Sequence, residues 1–229
     1  MNPKHDAPTA CARKLLGESG FRYLQGFLVF FARKTPAQIF WQWFENNEAL
    51  LFDFERDQDA AFAALDAALA KVAPDLAFEF GPKDAGGQRE LVISAGGIKA
   101  AFPAVEAIAA AAPRLARWTI TAFRPRRAPM MAISFGDLTL RPEDVDCCIL
   151  SNGRQLGLYL FFHGWTKERE KEFGQAGYLM LDEAIGEYDV TMKVGPIRFM
   201  AFDQHADADR FPLTELAAQF DLRHAALLQ

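Results

Sequence analysis

The chain has little cysteine, few histidines, no basic excess and no long apolar run. Its three cysteines are Cys11, Cys147 and Cys148. Neighbouring strand residues point to opposite faces, so Cys147 and Cys148 are poorly placed to bridge each other or to share a metal. An odd count without a C-x-x-C pair reads as reduced thiols in a cytoplasmic setting. The apolar stretch Phe27–Ala32 falls far short of a membrane span, and Arg22, Arg33 and Lys34 flank it. Neither a membrane anchor nor a secretion leader is expected. The formal net charge is −5. Nucleic acid is therefore an unlikely partner, because replacing phosphate counterions needs a basic face.

What is present is ordinary globular composition with one excess. Hydrophobic residues make up 51% and charged residues 24% of 229 positions, enough for one large domain or two small ones. Phenylalanine occurs 21 times. Filling an aromatic core is the simplest use for it.

The chain organises around residues 91–125, which read as strand, glycine turn, helix and strand. Residues 1–34 are weakly patterned and read either as a dispensable N-terminal extension or as a part of the core. Thr35-Pro36 opens a helix predicted to run to about Phe54, with Phe40, Trp43, Phe44 and Leu51 on one stripe. Asp57 opens a second helix, stopped by Pro74. Leu76, Phe78 and Phe80 alternate as a strand, and Glu90–Ser94 returns antiparallel to it. Pro103 starts a helix; Trp118, Ile120 and Ala122 alternate after it. RPRRAP at 124–129 lacks the pattern of any element and is the candidate linker. It divides a helix-rich half, 35–125, from a strand-rich half, 126–229, which could equally form one continuous domain.

In the second half Val145–Ser151 and Leu156–Phe162 flank Asn152-Gly153, a strong hairpin turn. A helix follows from Thr166 to Ile185. Tyr188, Val190 and Met192 alternate as a predicted strand; Gly195-Pro196 reads as a turn before a strand to Phe202. Pro212 opens a last helix. Phe102-Pro103 and Phe211-Pro212 echo each other, and chance recurrence of helix-start chemistry accounts for that. The pattern as a whole predicts an α+β fold. An antiparallel or mixed sheet would carry helices mainly on one face, with the 124–129 stretch as a subdomain boundary.

Ala95-Gly96-Gly97 tempts a phosphate-loop reading, but the dinucleotide fingerprint needs a third glycine opening the helix directly, and no Walker lysine follows. A structural turn is expected, and no cofactor. His163, at a strand end, could act as a base with Asp182, Glu183, Glu187 or Asp189. The catalytic candidates are therefore His163, Asp182 and Glu187. His205, Asp207 and Asp209 offer too few oxygens for a calcium loop, and no metal site is expected. Arg124, Arg126 and Arg127 suit an anionic group or local ion pairs. Trp41 and Trp43 sit among clustered aromatics that helical geometry spreads over more than one face. Trp41, Trp43, Arg124 and Arg126 are thus the binding candidates, and the aromatic cluster suggests an interface such as a homodimer.

At FWQWFENNEALLF (40–52), RELVISAGG (89–97), WTITAFRPR (118–126) and LDEAIGEYD (181–189) the chain resembles a family of bacterial proteins of unknown function. The resemblance runs from about residue 35 to the C-terminus and implies a bacterial origin and a shared α+β fold, with no reaction attached. The leading functional expectation is a non-catalytic ligand- or protein-binding module. The alternative is a small-molecule hydrolase or transferase using His163 and a nearby carboxylate.

Overall fold

The computed structural model describes residues 33–205 and 209–227. The N-terminal extension, with Cys11 and the Phe27–Ala32 run, lies outside them. From Pro36 onward the chain clusters into one compact unit. It is an α+β fold built on two mixed sheets and a small hairpin.

Helix α1, Pro36–Asn46, buries Ala37, Phe40, Trp41 and Phe44 on one stripe. The single long helix predicted here is broken at Asn47. Its side-chain amide donates to the Trp43 carbonyl at 2.8 Å, the local competition that makes asparagine a poor helix-interior residue. A short α2, Glu48–Phe52, and a 3₁₀ turn follow. Asp57 caps α3, Gln58–Leu69, by accepting from the Ala60 amide at 3.1 Å. Strand β1, Ala77–Phe80, pairs antiparallel with β2, Arg89–Ser94. Helix α4, Phe102–Ala110, crosses over to β3, Trp118–Ala122, which runs parallel to β2. The phenylalanines line this core: Trp118 meets Phe44 and Phe52 edge-on, and Phe54 stacks on Phe80.

The second half opens with the hairpin β4, Ile133–Phe135, and β5, Leu138–Leu140. Strands β6, Val145–Ser151, and β7, Leu156–Phe162, form the expected antiparallel pair. The Asn152 side-chain oxygen accepts from the Arg154 and Gln155 amides at 2.9 and 3.0 Å, holding the turn. Helix α5, Glu170–Ile185, leads to α6, Glu187–Lys193, and then to β8, Val194–Ala201, parallel to β7. A two-residue β9, Phe211–Pro212, adds to the free edge of β6, and α7, Leu216–Leu227, closes the described chain. Strand order is β8-β7-β6-β9.

The fold departs from the sequence expectation at two further places. Tyr188, Val190 and Met192 lie on helix α6, not on a strand. Spacings of two also place Tyr188 and Met192 four apart, and both of these are exposed while Glu187 and Val190, three apart, turn inward. Gly195-Pro196 lies inside β8. There the register slips between Leu156 and Leu158, and the Pro196 carbonyl approaches so near to Gly157 that a Cβ would meet it at 3.1 Å.

Each half repeats one order: two antiparallel strands, a helical crossover, then a strand parallel to the second. The two Phe-Pro motifs do not occupy matching places in it. Phe102-Pro103 begins a crossover helix, whereas Phe211-Pro212 is an edge strand. The first core draws on residues up to Phe123 and the second on residues from Met130 on. Among the described residues no helix is long and apolar enough to cross a membrane.

Candidate ligand-binding site

The stretch after β3 joins the two cores. Phe123 turns the chain with a positive φ of 62° while its amide still donates to Ile93 of β2 at 2.8 Å. Arg124 then meets Glu187, the first residue of α6. The Arg124 amide donates to Glu187 Oε2 at 2.9 Å, and the Glu187 amide donates back to the Arg124 carbonyl at 2.9 Å. Glu187 Oε1 accepts from the Ala95 and Gly97 amides at 2.9 and 3.1 Å. Gly96 and Gly97 hold φ near +58° and +76°, the conformation that turns successive amides toward one anion. The glycine turn is therefore an anion nest whose anion is the chain's own carboxylate. The remaining amide, of Gly96, donates to Ser94 Oγ at 2.9 Å.

The Arg124 side chain runs between carboxylates. Its Nε donates to Glu79 of β1, and its Nη1 lies 3.4 Å from Asp182 Oδ2 on α5. Burial works against the guanidinium charge, but Glu79 first, then Asp182 and Glu187, more than offset it and hold its pKa above the usual value. Asp182 is only 5% exposed. Burial pushes its pKa up to about 7; Arg124 offsets part of this, and the neighbouring Glu187 charge adds to it. The next two arginines have carboxylate partners of their own. Arg126 binds Asp221 at 2.7 Å, Asp189 at 3.1 Å and the Ile185 carbonyl at 2.9 Å. Arg127 reaches Glu90 at 2.8 Å.

Beside Arg124 and Asp182 opens a cleft of about 560 Å³. Gln175, Tyr178 and Asp182 lie three and four residues apart and present one face of α5 to it. Phe135, Val190 and Ile197 add apolar wall, and Thr191 a hydroxyl. Arg124 and Asp182 are its charged lining residues. The volume and the mixture, apolar with a few convergent polar groups, are those of a small-molecule site.

Compared with protein-family models, curated proteins and solved structures, the chain matches none.

Of the catalytic candidates, Asp182 lines the cleft, and Glu187 is fully buried beside it, saturated by three backbone amides. His163 is not brought to them. The cleft borders the Val194 end of β8, which pairs with Leu156, whereas His163 follows Phe162 at the other end of β7, roughly 20 Å away along seven residues of strand. His163 is exposed and stacks on Phe202 at 3.7 Å between ring centres. Of the binding candidates, Arg124 belongs to the site and Arg126 fastens α6 and α7. Trp41 is core: it is 3% exposed and donates to the Ile108 carbonyl at 2.7 Å. Trp43 is half-buried and packs beside Phe40. Asp207 lies outside the described residues, and Asp209 faces Arg223 at 3.9 Å. Cys147 is buried, which pushes its thiol well above the usual range and removes it as a nucleophile. Sequence reasoning missed Gln175, Tyr178 and Thr191. The available signal was polar and charged residues spaced by three and four along a helix whose adjacent face is core.

Proposed function

We propose that the chain is a small-molecule-binding module and that its site is the cleft between α5, α6 and the Gly96–Gly97 turn. The observation that carries this reading is a roomy, part-apolar cleft with a nearly buried carboxylate, Asp182, in its wall. Keeping an ionisable group out of water costs stability, and ligand sites are where that cost recurs. A second reading gives the same cleft an acid–base reaction. Its support is the Asp182 pKa of about 7, suited to proton transfer at neutral pH. With His163 at the far end of β7, Asp182 would act without it.

The test is a thermal-shift screen of metabolites on the natural chain and on Tyr178→Ala. Tyr178 is 48% exposed, so its truncation leaves the core intact. A ligand of this cleft raises the melting temperature of the natural chain and loses most of that effect in the variant. If every stabilising compound acts equally on both proteins, the cleft is not the site. Turnover of a hit, abolished in Asp182→Asn, would move the second reading ahead of the first.

A further inference from the structure

Charge around Asp182 is unbalanced. Arg124, from the end of β3, faces three carboxylates: Glu79 from β1, Asp182 from α5 and Glu187 from α6. Other nearby cations are committed. Arg126 is held by Asp189 and Asp221, Arg127 by Glu90, and Lys193 by Asp189 at 2.7 Å. Glu187 is satisfied by three amides, and Glu79 by the Arg124 Nε. Asp182 has a single long contact at 3.4 Å through Oδ2, and its Oδ1 accepts no hydrogen bond among the described residues. Oδ1 is not one of the buried atoms without a partner, so it is open to solvent, where a donor can approach it.

The backbone amides that the glycine turn would offer an anion are already used. The Ala95, Gly97 and Arg124 amides donate to Glu187, and the Gly96 amide to Ser94. Besides the Arg124, Gln175 and Thr191 side chains, the cleft offers a carboxylate acceptor beside apolar wall from Phe135, Tyr178 and Ile197. An aromatic ring beside a carboxylate also favours a cation over its face.

We infer that the cleft takes a small amine, its ammonium seated on Asp182 Oδ1 and its apolar or aromatic body lying along Tyr178, Phe135 and Ile197. This rests on the cleft being a binding site. The ammonium supplies the second counter-charge that Arg124, shared three ways, does not. Its N–H donates to Oδ1, and no covalent bond changes. The pKa of Asp182 sets the pH dependence: below about 7 the carboxyl carries a proton that the amine must displace. Aliphatic ammonium groups stay charged to about pH 10, so affinity rises from pH 6 to pH 8 and then levels.

The experiment is isothermal titration calorimetry with phenethylamine and tryptamine. Each is matched by the carboxylate of similar shape, 3-phenylpropionate or indole-3-propionate. Titrations use the natural chain, Asp182→Asn and Tyr178→Ala, at pH 6 and pH 8, in buffers of different ionisation enthalpy. At least one amine is expected to bind about tenfold or more tightly than its carboxylate partner and to weaken about tenfold in Asp182→Asn. Proton release should accompany binding near pH 6.5 in the natural chain and vanish in that variant. Asp182→Asn keeps the shape and an acceptor for Arg124, and circular dichroism confirms its fold. Should it fail to fold, proton release together with loss of binding in Tyr178→Ala decides the matter. Carboxylates binding as well as amines, with dependence on Tyr178, would overturn the amine assignment and leave the cleft a binding site. Binding of neither class removes the amine assignment; if the metabolite screen also finds nothing dependent on Tyr178, the cleft reading goes with it.

Discussion

Arg124 and Glu187 are joined twice, amide to carboxylate and amide to carbonyl, both at 2.9 Å. The same carboxylate closes the Ala95–Gly97 nest, so one side chain ties β2, β3 and α6 together. Glutamine at 187 would keep one acceptor oxygen but turn an NH₂ group toward a backbone donor. Glu187→Gln is expected to lower stability by about 2–4 kcal/mol, the scale for breaking a buried charged hydrogen-bond set. Urea denaturation measures it. A loss under about half a kcal/mol would mean the nest is not held by charge.

Asp182 has the opposite relation to its charge. Its folded pKa of about 7 lies above the 3.8 of an unfolded aspartate, so the native state holds its proton more tightly. The resulting stabilisation is fully present below pH 3.8 and is lost as pH rises through 7. Between pH 5 and 8 the natural chain should lose on the order of 2–4 kcal/mol from this group. Asp182→Asn should show a flatter profile and be the more stable protein at pH 8. Denaturant melts at four pH values check this, and parallel profiles for the two proteins would contradict it.

Gly177 sets how closely α5 approaches β8. A Cβ built on it would lie 2.3 Å from the Phe199 ring. Helix propensity alone favours Gly177→Ala by about 1 kcal/mol. Overpacking against a ring already held by Phe162 and Tyr178 should reverse the sign, for a net loss of about 1–3 kcal/mol. The double variant with Phe199→Leu should recover most of the loss. A more stable Gly177→Ala would show that the ring yields freely.

Much of the scaffold was legible because local chemistry and period agreed. Asp57 marked its helix, Asn152-Gly153 its hairpin, and the alternation from Leu156 to Phe162 the central strand. The failures came where one pattern satisfies two periods, as at Tyr188, Val190 and Met192, or where a side chain competes within a helix, as at Asn47. Of the site, Asp182 and Glu187 were named as catalytic partners of His163 and Arg124 as a binding residue, but their contacts with one another were not legible. Arg124 meets Asp182 across 58 residues and Glu79 across 45, and no local signal reports such contacts. His163 was a sound strand-end histidine, but the alternation of a strand does not say which of its ends borders a cleft. The glycine turn was read as a turn, and its amides do serve an anion, one that lies too far along the sequence to be paired with it.

That separation has a consequence for synthesis. The nest is made first, and the carboxylate that fills it is added 90 residues after Gly97. When the residues of the first sheet have been synthesised, the carboxylate that the Ala95, Gly97 and Arg124 amides bond in the native fold is not yet part of the chain. The amino-terminal half can complete its hydrogen bonding only after the carboxy-terminal half has emerged, so the two halves are bound into one product by the order in which they are born.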